Sequence, residues 1–174
     1  MRKIIAGFAA SVDGYIEGLN GEYDWIIIDE EIDFAAYMSR YDTFLIGRKS
    51  YEKMLGYQGP ATPEIKNYVF SNTLTEVDKS YLLVRGDTEE TVKKLKNEPG
   101  KDIAVWGGAS LLASLLNLKL VDELSISFIP VLLGQGKPMV EVLNEKIWLS
   151  LLDTKRYKNG TLQVTYDVLY DRQK

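Results

Sequence analysis

Along this chain the apolar positions come in short runs, each closed by glycine or charge, and the runs alternate between strand-like and helix-like periods. "KIIAGFAA" (3–10) is dense in strand formers. "SVDGYIEGLNGEYDW" (11–25), which follows, is a glycine-punctuated loop of a length that compact domains usually keep for function. A helix is predicted from Asp29 to Arg40, because Asp29, Glu30, Glu31 and Asp33 give its start the charge that a helix N-terminus favours. "DTFLIG" (42–47) reads as a strand and "RKSYEKML" (48–55) as a short helix. "NYVFS" (67–71) and "SYLLVRG" (80–86) are further strands, and "DTEETVKKLKN" (87–97) is a helix with a capping residue at its start. In "DIAVWGGASLLASLLNL" (102–118) a buried strand meets two glycines and an apolar helix begins at once.

This alternation predicts βαβ units and therefore parallel neighbours in a mostly buried sheet. After residue 121 the helices cease. "DELSISFIPVLLG" (122–134), "IWLSLLDTKRYKNG" (147–160) and "TLQVTYDVLY" (161–170) are strand-like, and "KNG" is a hairpin turn signal between the last two. The sheet should begin parallel and end antiparallel. No low-complexity linker divides residues 1–174, so one domain is expected.

Composition narrows the chemistry. The chain has no cysteine and no histidine, which removes thiolate nucleophiles, imidazole bases, the Ser-His-Asp triad and ordinary zinc sites. No metal is expected. With 21 basic and 25 acidic residues the net charge is −4, too little and of the wrong sign to draw the protein to nucleic acid or an anionic membrane. The start "MRKIIAGFAAS" imitates a signal peptide, but its apolar run leads straight into a turn and more folded pattern. No apolar stretch approaches the roughly 20 residues that span a bilayer. The expectation is a cytoplasmic protein, and any anion it holds must be held locally.

Two places offer that. "FLIGRKSYE" (44–52) and "AVWGGASLL" (104–112) share one arrangement of buried strand, glycine and helix start. Free N–H groups at a helix start seat anions, and glycine lets the anion approach the backbone. Either glycine could equally serve only a turn. Together they suit a ligand with more than one phosphate: Arg48 and Lys49 fit a terminal dianion, and the uncharged Gly107-Gly108 turn fits a bridging pyrophosphate. The common nucleotide fingerprints are missing. No G-x-G-x-x-G follows the first strand, and "GQGKP" (134–138) only mimics a P-loop.

The first strand with "SVDGYI", then "DW" at 24–25, "GRKSYE" at 47–52, "VFSN" at 69–72, "VWGGASLLASLL" and "VDELSISFIPVLLGQGKPM" at 121–139, resembles the dihydrofolate-reductase-like family over nearly the whole chain. Within it the sequence is most similar to the reductase domain of the bifunctional riboflavin-biosynthesis deaminase-reductase and its stand-alone bacterial homologues. The resemblance implies an α/β fold whose central sheet is mixed and mostly parallel, of about eight strands, with an antiparallel C-terminal hairpin and helices on both faces. It also implies NADPH as cofactor and a small heterocyclic substrate such as 5-amino-6-(5-phosphoribosylamino)uracil. Gly47, Arg48, Lys49 and Ser50 would hold the 2′-phosphate and pyrophosphate side, and Ser71 and Asn72 would sit by the adenosine ribose. Gly107, Gly108, Ala109 and Ser110 would cradle the pyrophosphate, while Ala9, Ala10 and Ile16 would line the nicotinamide. A homodimer is implied as well, for which the C-terminal strands could supply the interface.

On the substrate side, the loop 11–25 is placed to cover the hydride-transfer junction and exclude water, and Ile16 and Trp25 are apolar residues that a solvated loop would not need. Glu30 and Asp33 precede Phe34 and Tyr37 by four residues, so each acid shares a helix face with an aromatic ring. In dihydrofolate reductase proper, a carboxylate on this helix binds the pterin. Either acid could also be a solvated helix start. The loop "GYQGPATPE" (56–64) lies where a substrate-contacting segment would, yet carries no cation to grip a ribose phosphate. Three readings therefore stand: a riboflavin-type reductase, a true dihydrofolate reductase, and a nucleotide-binding module without catalysis.

Overall fold

The computed structural model describes residues 1–56 and 65–171. Its central sheet has eight strands: β1 (Ile4–Ser11), β3 (Tyr41–Gly47), β4 (Lys66–Phe70), β5 (Tyr81–Val84), β6 (Asp102–Val105), β7 (Glu123–Ile129), β9 (Trp148–Arg156) and β10 (Leu162–Leu169). Their order is β5-β4-β3-β6-β1-β7-β10-β9. Neighbours from β5 to β7 run parallel, while β10 is antiparallel to both β7 and β9. The expected mixed, mostly parallel sheet with an antiparallel C-terminal hairpin is thus the observed one. A second, two-stranded antiparallel sheet joins β2 (Tyr15–Glu17) to β8 (Lys137–Pro138).

Helices cover both faces: α1 (Phe34–Met38) and α2 (Arg48–Met54) on one, α3 (Thr88–Asn97) and α4 (Ala109–Asn117) on the other. Each face has its own apolar cluster. Val92 and Leu95 of α3 and Leu111, Leu112, Leu115 and Leu116 of α4 pack on Ile4, Ala6, Ala10 and Ile126. Tyr51 of α2 packs with Ile5, Phe44 and Ile46 on the opposite side. The split follows from the two-residue period of the strands, which sends Ile4 and Ile5 to opposite faces. Among the described residues no helix is long and apolar enough to cross a membrane.

The helix expected over Asp29–Arg40 is shortened to Phe34–Met38. Asp29 turns inward instead: one carboxylate oxygen accepts the Glu31 N–H at 2.9 Å and the other accepts the Asn159 N–H at 2.9 Å. This bond ties residues 26–32 to the turn of the β9–β10 hairpin, and a chain held there cannot coil into a helix. Asp33, whose side chain accepts from the Ala36 N–H at 2.8 Å, caps the short helix that remains.

These backbone donors, the Glu31 N–H foremost and then that of Asn159, hold the Asp29 carboxyl below the ordinary carboxylate range. A depressed folded value means that the contribution is fully present above the unfolded pKa of about 4 and is lost as pH falls through the folded value. In the native chain the Asn159 and Glu31 amides should therefore stay protected against hydrogen exchange from neutrality down to about pH 4 and lose protection below it, whereas Asp29→Asn, with no carboxylate to titrate, should be less protected already at neutrality and lack that acid step. Equal acid profiles for the two proteins would contradict this role.

The loop 11–25 is also more fastened than its sequence suggests. The Asp13 carboxylate accepts the Leu133 and Gly134 N–H groups, and the Val12 N–H donates to the Val131 carbonyl. Gly136 lets β8 lie against β2, since a Cβ there would collide with the Glu17 carbonyl oxygen.

Candidate functional site

The site grows from the divergence of two adjacent strands. β3 and β6 are parallel neighbours, yet α2 leaves the first onto one face and α4 leaves the second onto the other. At such a switch point the carboxyl ends of the strands open a crevice, which is where ligands of open α/β sheets bind. The crevice is closed at its base by the Gly47 N–H donating to the Gly107 carbonyl at 3.0 Å and the Trp106 N–H to the Leu45 carbonyl at 2.8 Å. Above it lies a cavity of about 360 Å³.

Most of the candidate cofactor residues meet there. Gly47, Arg48, Lys49 and Ser50 form one wall, Ser71 and Asn72 another, and Gly108 and Ser110 a third. The helix starts differ in a telling way. Asp33 and Asp87 cap α1 and α3 with their side chains, whereas α2 and α4 follow Gly47 and Gly108 and receive no side-chain cap among the described residues. The first N–H groups of α4 are left for an anion. Gly107 has φ of +83°, a left-handed conformation that favours glycine, and the Gly107–Gly108 peptide is cis. A Cβ on Gly107 would stand 2.9 Å from the Ser50 hydroxyl oxygen, so the two seats touch through this pair.

The polar side chains around the cavity are partly engaged. Arg48 donates to Glu52 at 2.7 Å one turn away, with both groups about 40% exposed. Such an exposed pair is worth little, so an incoming phosphate can compete for the guanidinium. The Ser71 hydroxyl accepts the Thr73 and Leu74 N–H groups, and the Asn72 side-chain carbonyl accepts the Gly86 N–H. These bonds shape the turn beyond β4. Ser110 donates to Glu141 at 2.8 Å.

One cation in the cavity was not among the sequence candidates. Lys137, from β8, lines this cavity and a second one of about 420 Å³ that it shares with Lys49, Ser50 and Lys53. Its Nζ would lie 3.8 Å from a Cβ built on Gly108. The sequence signal was "GQGKP", which looked like a failed P-loop. What delivers the lysine is the β2–β8 pairing, which sequence spacing does not reveal.

A third cavity, of about 220 Å³, opens over β1 and β7 on the α1 side of the sheet. Its floor is made by alternate residues of three adjacent strands: Gly7 and Ala9 of β1, Ser125 and Ser127 of β7, and Gln163 of β10. Small and polar residues hold that face because the five-residue α1 leaves it uncovered. Gly7 leaves room for Tyr37, whose hydroxyl would collide with a Cβ at that position. One side is aromatic. Trp106 stacks on Phe44 with centroids 4.9 Å apart, and Phe34 meets Trp106 edge-on. The rim is Ile26, Ile27 and Ile28, of which the last two are each 64% exposed.

Other candidates lie elsewhere. Ala10 is buried in the α3–α4 cluster and can reach a ligand only through its backbone, as can Ala109. Ile16 packs against that same cluster from β2. Trp25 donates its indole N–H to the Glu22 carbonyl at 3.3 Å and lines none of the three cavities. Glu30 is exposed, and Asp33 is occupied as a cap. The tryptophan at the third cavity is Trp106, next to the glycine pair. The loop expected to contact substrate (56–64) falls, beyond Gly56, outside the described residues.

Comparison with known proteins agrees with this architecture. A family model described as the RibD C-terminal domain matches residues 2–163. The protein YyaP of Bacillus subtilis (strain 168) is 40% identical over 177 residues, covering 95% of this chain and 94% of that protein. A solved structure from Shewanella sp. PV-4, of a protein named for riboflavin biosynthesis, superposes with a TM-score of 0.85 at 26% identity, covering 95% of this chain and 98% of the other. Dihydrofolate reductase from Enterococcus faecalis, solved in complex with NADP(H), superposes with a TM-score of 0.67 at 17% identity, covering 97% of each chain. That last likeness is one of fold.

Proposed function

The chain belongs to the RibD C-terminal domain family, and from that premise we propose that it is an NADPH-dependent reductase that delivers hydride to a small nitrogen heterocycle. The observation that carries this reading is the convergence of Arg48, Lys49, Ser50, Lys137 and the uncapped start of α4 on one crevice at the sheet's switch point. The residues present fit a dinucleotide: Gly107 and Gly108 leave a cradle that side chains would fill, and cations stand on two sides of it. Arg48 and Lys49 would hold the 2′-phosphate, and Lys137 with the first N–H groups of α4 the pyrophosphate. Ala9, in the floor of the third cavity, would line the nicotinamide where it meets the acceptor.

When bound, NADPH supplies the hydride. The third cavity supplies position and dryness: its apolar rim excludes water, and Trp106, held in place by stacking on Phe44, gives it an aromatic wall. A dihydrofolate-type mechanism would set a carboxylate against the ring, and no carboxylate lines this cavity among the described residues. The accompanying proton would then come from solvent or a hydroxyl. A second copy of the chain is the partner we propose for β9, an edge strand that exposes Leu149, Leu151 and Leu152.

Turnover with NADPH deuterated at the transferable position and a panel of pyrimidine and pteridine acceptors tests the proposal. Deuterium should appear on carbon of the reduced acceptor. Tight NADPH binding without transfer to any acceptor would leave a binding module in place of an enzyme.

A further inference from the structure

The third cavity carries more information than its role as an acceptor site. Among the described residues no Lys, Arg, Asp or Glu lines it. At about 220 Å³ it lies below the range of roughly 300–1,000 Å³ usual for sites that hold drug-sized ligands. Its rim is three consecutive isoleucines and Phe34, the last 48% exposed. A phosphate or glutamate tail entering here would lose its hydration against apolar carbon with no cation to replace it.

Its polar side chains are Tyr37, whose hydroxyl stands over Gly7, Ser125 and Ser127 of the floor, and Thr161 and Gln163 at the edge where β10 meets its turn. Thr161 is 2% exposed and lines the cavity, yet its hydroxyl has no hydrogen-bond partner among the described residues. Nothing in the hairpin uses it: the turn is made by the Thr161 N–H donating to the Asn159 side chain and by the Thr161 carbonyl accepting the Tyr157 N–H. Beside it, Gln163 accepts the Tyr157 hydroxyl proton at 3.0 Å and donates one amide hydrogen to Ser125 at 3.2 Å. An amide nitrogen carries two hydrogens, so one remains for a ligand. A lone buried hydroxyl costs stability where it stands, and a ligand edge reaching it would relieve that cost.

We infer that this cavity takes an uncharged, unphosphorylated planar heterocycle that presents a cyclic-amide edge to Thr161 and Gln163. Resting on the reductase reading above, the inference names the acceptor's class: a bare ring of one or two fused cycles, without a phosphoribosyl or carboxylated tail. Trp106 and Phe34 recognise the ring's face and edge, the isoleucines cover it, and the β10 edge fixes its orientation.

The test measures binding without cofactor, so that its outcome is independent of hydride transfer. Calorimetry would compare three probes at mildly acidic pH: lumazine, which is then a neutral bicyclic dione; lumazine-6-carboxylate; and 5-amino-6-(5-phosphoribosylamino)uracil. Lumazine should bind at least about tenfold more tightly than either anion. Thr161→Val should weaken lumazine about five- to tenfold while leaving the thermal midpoint unchanged or higher, because it removes a buried hydroxyl that has no partner. Ile28→Lys, at an exposed position, should bring the carboxylate to parity with lumazine. The proposal is overturned if lumazine fails to bind, if either anion binds as tightly in the native protein, or if Thr161→Val lowers the midpoint and spares affinity. A merely structural threonine would give that last result.

Discussion

Gly107→Ala is expected to weaken NADPH by roughly 30- to 150-fold, about 2–3 kcal/mol. Part of this is backbone. At φ of +83° an alanine pays the left-handed cost of about 1–2 kcal/mol, so the turn relaxes away from its present shape. The rest is contact: the new Cβ would meet the Ser50 hydroxyl at 2.9 Å and push it into the crevice between the two halves of the site. Gly14→Ala separates the two effects. Gly14 has φ of +87° with nothing within 4 Å of its would-be Cβ, and it lines none of the cavities. That variant should lose stability and keep its affinity, and equal losses of affinity in the two would reduce Gly107 to a turn residue. Calorimetric titration of both with NADPH decides it.

Lys137→Ala is expected to weaken NADPH and NADH together, each by roughly 10- to 100-fold, the worth of a hydrogen bond to a charged group. The lysine stands by Gly108, where a pyrophosphate shared by both dinucleotides would lie. Arg48→Ala should behave differently, weakening NADPH and sparing NADH, because on the proposed reading its guanidinium would hold the 2′-phosphate that only NADPH carries. Both losses should shrink with added salt. If Lys137→Ala changes neither affinity, the β2–β8 ribbon has no part in the cofactor site.

These two residues also mark where the sequence was legible and where it was not. The Gly107 junction is legible because everything that defines its shape is local: a buried strand, two residues without side chains, an apolar helix. The same holds for the parallel half of the sheet, whose runs and caps announce themselves within a dozen residues. Lys137 was invisible because its position depends on Gly136 packing against the Glu17 carbonyl, a contact between distant segments. The acidic neighbours of Asp29 give it the local pattern of a helix start. Its actual partner, the Asn159 N–H, lies 130 residues away and overrides local propensity.

The third cavity was hidden for a related reason. Its floor is assembled from every second residue of three strands, so Gly7, Ser127 and Gln163 become neighbours only after the sheet forms. One hint was present in "ELSISFI", where serines alternate with leucine and isoleucine, so that one face of a buried strand is polar. The short α1 explains that face, since no long helix covers it. The local pattern points instead to Trp25, Glu30 and Asp33, which the chain places on a loop, at the surface and in a cap.

The central claim is that the two strand-to-helix junctions and Lys137 form one split site for a 2′-phosphorylated dinucleotide. Its most direct measurement is a titration of the native protein with NADPH and with NADH, followed by the fluorescence of the reduced nicotinamide. NADPH should bind at least about tenfold more tightly, the discrimination expected from one well-placed phosphate contact. Equal and weak affinities for the two would contradict the account.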